Sequence, residues 1–172
     1  MSDPSSPGAP EFTRPVDISR LPGERVYDLA ATPVERAALA RRFDLLALDR
    51  LEAQVRLTPL AGGLVRLSAS LAAEVVQACV VTLEPVRSHI DDEFSVLYRA
   101  GAEAGEMSVV LSGADEVVEP LPGDILDIGE AVAQQLSLAL DPYPRAPGAA
   151  AASSGEALAS PFAMLAKWKK NN

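Results

Sequence analysis

The residue pattern predicts an α+β domain: an antiparallel β-sheet with one helix inserted early, one helix after the strands and a short C-terminal helix. Three observations carry this expectation. A two-residue period in "RLEAQVRLT", residues 50–58, sends Leu51, Ala53, Val55 and Leu57 to one side and Arg50, Glu52, Gln54, Arg56 and Thr58 to the other, as in a half-buried strand. A helical period in "DIGEAVAQQLSLALDP", residues 127–142, gathers Ile128, Val132, Leu136, Ala139 and Leu140 on one face, opposite Glu130, Gln134 and Ser137. A complete helix start precedes that strand in "TPVERAALARRF", residues 32–43, where Thr32 is a good N-cap, Pro33 suits the first helical position and Glu35 completes a capping box.

Taken in chain order, "MSDPSSPGAP" at residues 1–10 has no large apolar side chain to offset the entropy of ordering, so a disordered arm is expected. The domain proper is expected over 11–143. Short strands are predicted at "EFTRPVDI" and "RVYDLA", followed by the helix over about 33–43 and the strand containing 50–58. Gly62 and Gly63 permit a tight reversal. The following run "LVRLSASLAAEVVQACVVTLEPV" alternates imperfectly and is long for one strand, which predicts a bend or bulge near residues 72–74 and an end at Pro85. "VRSHIDDE" reads as a polar connection, and "DEFSVLYRA" and "MSVVLS" as two further strands, with Phe94, Val96 and Tyr98 on one flank. Asp127 caps the second helix, Glu130 is placed to return the capping bond, and Pro142 stops it. "PRAPGAAAASSGEALA", residues 144–159, has the composition of a linker.

Charge and chemistry narrow the function classes. With 15 Lys+Arg against 24 Asp+Glu, the net charge is -9, which disfavours adhesion of the whole surface to nucleic acid or anionic lipid. No apolar run reaches spanning length and no signal-peptide pattern opens the chain, so a cytoplasmic protein without membrane attachment is expected. The single cysteine, Cys79, rules out an internal disulfide and cannot alone build a zinc site. Neither GxGxxG, a P-loop nor GxSxG occurs. The only histidine, His89, reads as exposed, and the adjacent acids Asp91 and Asp92, and Asp115 and Glu116, read as solvated loops. The expectation is a noncatalytic protein with no cofactor and no metal.

Three stretches, "ACVVTLEPV", "DIGEAVAQQLSLALDPYP" and "SPFAMLAKWKK", in this order and spacing, resemble the YceD family, the large ribosomal RNA subunit accumulation proteins, in the form associated with alphaproteobacteria. The resemblance covers about 11–170. It implies a factor needed for accumulation of large-subunit ribosomal RNA and for large-subunit assembly, with Cys79, Leu83, Pro85, Asp127 and Glu130 as structural motif residues. Many relatives carry Cys-x-x-Cys after the corresponding strand, some with downstream cysteines that suggest zinc; here Thr82 holds the second position and no cysteine follows Leu140, so no metal carries over.

The last stretch supplies the candidate contact. Ser160 and Pro161 start a short helix on which Phe162, Leu165 and Ala166 lie together, with Lys167, Trp168, Lys169 and Lys170 at its end. No acid follows Glu156, so the charge is segregated. The lysines would hold phosphates while the indole stacks on an unpaired base, or Phe162 and Leu165 would pack on the domain or dock on an assembly protein. Arg41 and Arg42, on the flanks of the first helix, are the other cationic candidates, and Arg50, Arg56 and Arg66 would form a patch weakened by Glu52. The expected partner is large-subunit ribosomal RNA, favoured by the tail, or a basic ribosomal protein, favoured by the acidic body. The competing readings are a metal-dependent RNA hydrolase or nuclease using Asp91 and Asp92, and a protein partner in phospholipid synthesis.

Overall fold

The computed structural model describes residues 11–101 and 118–149. Its centre is the strand predicted around 50–58, which extends as β3 over Ala47–Leu60 and turns back into β4, Leu64–Ala78. Gly62 and Gly63 take φ of 78° and 71° in the reversal, the left-handed conformation that only glycine adopts without strain. Every second residue of β3 from Leu51 to Leu57 is buried, and so is every second residue of β4 from Leu67 to Val75. The alternation seen in the sequence is therefore the one the fold uses.

β5 spans Pro85–Ala100 and pairs antiparallel with β4 along its whole length, from Leu64 opposite Arg99 to Ala78 opposite Pro85. This corrects the expectation of a polar connection at "VRSHIDDE": the segment is strand. Its outward positions Arg87, His89, Asp91 and Glu93 face solvent, while two polar residues, Ser88 and Asp92, occupy inward positions and hide the alternation. Asp92 is satisfied there by Gln135, whose Nε2 donates to Oδ2 at 2.7 Å. Pro85 opens β5 rather than closing β4, a position where its missing N–H costs no ladder bond. The predicted bulge sits across the ladder from where it was expected. β4 is unbroken, and the register shifts in β3 between Leu48 and Arg50, opposite Glu74 and Val75, leaving Asp49 and Arg50 consecutively exposed.

β2, Arg25–Ala30, adds antiparallel to β3, and β6, Val118–Leu121, adds to the far edge alongside β5 as the sheet's one parallel pair among the described residues. The order across the sheet is β2-β3-β4-β5-β6. A separate two-stranded ladder joins β1, Pro15–Asp17, to β7, Ile125–Asp127. The predicted strand at "MSVVLS", the arm, the tail helix and most of the linker lie outside the described residues.

Both helices are where the sequence places them: α1 over Pro33–Arg42 and α2 over Ile128–Ala139. At α1 the capping box is complete, with Glu35 N–H donating to Thr32 Oγ1 and Thr32 N–H to Glu35 Oε2. At α2, Asp127 Oδ1 accepts from the N–H groups of Gly129 and Glu130 at 3.0 and 3.1 Å, but Glu130 does not return the bond. Its carboxylate is instead taken by Arg42, at 2.7 and 2.9 Å. Leu39 and Ala40 from α1 and Ile128, Val132 and Leu136 from α2 join one core with the inward residues of the sheet, so both helices cover the same face.

The chain before β1 locks this layer. Phe12 is fully buried, Arg14 N–H donates to Asp127 Oδ1 at 2.8 Å, and Ile128 N–H donates to Arg14 O at 3.1 Å. The Arg14 guanidinium grips both oxygens of Glu35 at 2.7 and 3.1 Å and stacks 4.7 Å from the Phe12 ring centroid. One segment thus ties the starts of both helices together.

Two outcomes follow from this junction. A Cβ at Gly129 would sit 2.3 Å from Phe12 O, a backbone atom that cannot swing away. Gly129→Ala is expected to destabilise the fold by about 1–3 kcal/mol in denaturant titration, although alanine normally favours a helix interior by about 1 kcal/mol. Hydrogen bonding from Arg14, aided by Thr32, holds the Glu35 carboxyl at about 2, below its ordinary 4.5. A depressed carboxyl stabilises the fold fully above its unfolded value and loses that contribution as pH falls through its folded value. Unfolding free energy is expected to drop by about 1–3 kcal/mol more in the native chain than in Glu35→Gln as pH is lowered across that interval.

Candidate functional site

The turn between β4 and β5 is built around one sulfur. Cys79 has no solvent exposure, and its Sγ accepts N–H groups from Val81 and Thr82 at 3.4 Å and from Ala146 at 3.3 Å. Val80 N–H donates to Pro144 O at 2.9 Å, so the segment after α2 is stitched to the turn twice. Leu83 N–H returns to Cys79 O and Cys79 N–H to Glu84 O, closing the loop at 2.9 and 2.8 Å. Leu83 itself takes φ of 61° and is 77% exposed. Hydrogen bonding from the Thr82 side chain, then from the Ala146 and Thr82 N–H groups, lowers the Cys79 thiol to about 6 against an opposing burial effect. The site does not suit zinc, which needs four ligands: among the described residues no three His, Cys, Asp or Glu converge. Cys79 acts here as a hydrogen-bond hub.

The cationic candidates separate. Arg41 is exposed and makes no ion pair among the described residues. Arg42 is committed: its guanidinium bridges Glu130 and Glu11, at 2.7 and 3.1 Å, and lies 5.4 Å from the Phe43 ring. Hydrogen bonding from Arg42 lowers the Glu130 carboxyl, as a carboxylate facing a fixed guanidinium must. The strand arginines do not pool into the predicted patch, because Arg50 pairs with Glu52 and Arg56 with Glu24, each at 2.6 Å. Phe162, Leu165, Lys167, Trp168, Lys169 and Lys170 lie outside the described residues, as do Asp115 and Glu116. Asp91 and Asp92 are adjacent on β5 and point to opposite faces, Asp91 toward His89 Nε2 at 2.9 Å and Asp92 toward α2, so they do not converge on one ion.

A surface that residue-by-residue reading passed over lies on the face of the sheet away from both helices. The register lines up Asp28, Gln54, Ser70 and Glu93 in one row and Ala30, Glu52, Ala72 and Asp91 in the next. Small residues on β4 floor a trough whose walls are the longer side chains of β3 and β5. Its larger part encloses about 880 Å³, and none of its twelve lining residues is basic; a continuation past Ser68 and Ser95 adds about 610 Å³. The signal was present in the sequence as the polar half of each alternation, but only the register brings those halves side by side.

The model of the family described as Large ribosomal RNA subunit accumulation protein YceD matches residues 67–162, more than half of the chain. The chain belongs to the YceD family. The YceD match begins within β4 and takes in the Cys79 turn, β5, β6, β7 and α2, while β1, β2, α1 and all of β3 precede it. The motif residues Cys79, Leu83, Pro85, Asp127 and Glu130 all fall inside it, at the two junctions described above. No curated protein and no solved structure matches the chain. No helix among the described residues is long and apolar enough to cross a membrane.

The hub has a pH signature. With the folded thiol near 6 and its ordinary value at 9.0, the thiolate stabilises the fold fully above the ordinary value and the contribution is lost as pH falls through the folded one. Stability is therefore expected to rise between about pH 6 and pH 9 in the native chain and to stay level in Cys79→Ala over the same range. Thiolate absorbance titrated against pH in the folded protein checks the assignment directly.

Proposed function

We propose that the chain is a noncatalytic cytoplasmic factor that supports accumulation of large-subunit ribosomal RNA and assembly of the large subunit by binding ribosomal RNA or an early ribosomal protein. Membership of the YceD family carries the reading. The charge distribution supports a division of contacts. All three lysines fall at 167, 169 and 170, beside Trp168, which suits phosphate and base contact on single-stranded RNA, with Phe162 and Leu165 as the apolar side of the same tail. Arg41 is free to add to such a contact, whereas Arg42 would first have to leave Glu130 and Glu11. The acidic body suits a basic ribosomal protein. Asp91 and Asp92 facing opposite ways gives the nuclease alternative little support.

Crosslinked pull-down tests the reading, with full-length protein compared with a truncation lacking residues 160–172 and both RNA and ribosomal proteins counted. Full-length protein is expected to enrich large-subunit RNA and proteins, and the truncation to lose mainly the RNA. Recovery of no ribosomal material by either form would remove the proposal. Metal-dependent cleavage of RNA by the pure chain would replace it with the nuclease.

A further inference from the structure

We infer that the open face of the five-stranded sheet is a docking trough for an arginine- or lysine-rich polypeptide segment in extended conformation. This rests on the assembly-factor reading for the identity of its natural partner, and on the trough itself for the chemistry. Three of the cations on this face are spent on its own margins: Arg50 on Glu52, Arg56 on Glu24, and Arg87 on Asp49 at 2.7 Å. The carboxylates over the floor are not so occupied. Asp28 receives the Gln54 amide at 2.9 Å, Asp91 meets the His89 ring at 2.9 Å and feels Arg50 only at a distance because that guanidinium is closed on Glu52, and Glu93 has no cationic partner among the described residues. Asp91 is 72% exposed, so an incoming guanidinium or ammonium meets an accessible carboxylate.

Spacing selects the form of the guest. Asp91 and Glu93 are two residues apart on one strand and point the same way, about 7 Å from each other. That is the repeat of alternate side chains in another extended chain, so basic residues at every second position fall in register with them. The walls, β3 and β5, are two strand spacings apart, about 10 Å. Between them Ser70 and Ala72 leave room for a backbone and bring no charge. RNA is disfavoured on this face because its phosphates would approach the same carboxylates.

The probe is a short labelled peptide alternating arginine and serine, titrated into the full chain at low salt by fluorescence anisotropy. A glutamate-for-arginine peptide and an oligouridylate of similar length serve as comparisons. The arginine peptide is expected to bind and the other two not, with affinity falling as salt is added. D91N/E93Q is expected to weaken binding about tenfold, since each exposed pair contributes up to about 1 kcal/mol. E119Q/D124N, the same change in net charge away from the trough, is expected to leave it within about twofold. Equal effects of the two variants with matching thermal melts, or binding of oligouridylate by this face, would overturn the inference. If the peptide result holds while pull-down recovers no ribosomal material, the trough stands and the assembly reading falls; if pull-down succeeds and the peptide fails, the reverse is true.

Discussion

Both helices lie on one side of the sheet, and most of what the chain presents to solvent follows from that. A strand alternates its side chains between two faces, so covering one face obliges every second residue to be apolar and releases the others from packing. On β3 and β4 the covered half is Leu51, Val55, Leu57, Leu67, Leu71 and Val75, each buried to 3% exposure or less. The released half is Glu52, Gln54, Arg56, Ser68, Ser70 and Ala72. Small residues on the central strand and long ones on its neighbours turn a flat face into a trough. The trough is thus written in the same residues as the core, one position out of phase.

The covered layer depends in turn on the few residues before β1. Arg14 and Arg42 each take a glutamate bidentately or at two sites, and between them they fix α1 at both ends, to the N-terminal segment and to the start of α2. A guanidinium suits this work because its planar fork meets both carboxylate oxygens at once. The N-terminal segment and α1 precede the segment matched by the YceD family, and so does about half of the core. Glu130 illustrates the coupling: its family-motif position is inside the matched segment, while the arginine that holds it is outside.

What could be read from the sequence divides along physical lines. Caps, the glycine reversal and clean alternation are local, and the structure uses Thr32, Gly62 and the Leu51 to Leu57 series as their patterns predict. Where structure and sequence pattern differ, partners distant in sequence are involved. Glu130 has a local capping option and an arginine 88 residues away, and the bidentate charged pair prevails. "VRSHIDDE" looks like loop because Asp92 breaks the alternation, and only α2, arriving later in the chain, satisfies it. The bulge moved to β3 because an extra residue can be absorbed by either strand of a ladder. The Cys79 hub needed Ala146, 67 residues on, to become visible.

The use of the two basic side chains completes the picture. Arginine supplies every cation of the described body, and Arg14, Arg42, Arg50, Arg56 and Arg87 are all closed onto carboxylates there. Lysine occurs only at 167, 169 and 170, beyond the last acid of the chain. An ammonium is a compact charge on a flexible stem and needs no planar acceptor, which suits a phosphate backbone of varying geometry. The open sheet face, where Arg50, Arg56 and Arg87 are closed onto carboxylates and Asp91 and Glu93 are left over, repels that same backbone. Tail and sheet face thus carry opposite charge, so the two contacts proposed above call for different ligands.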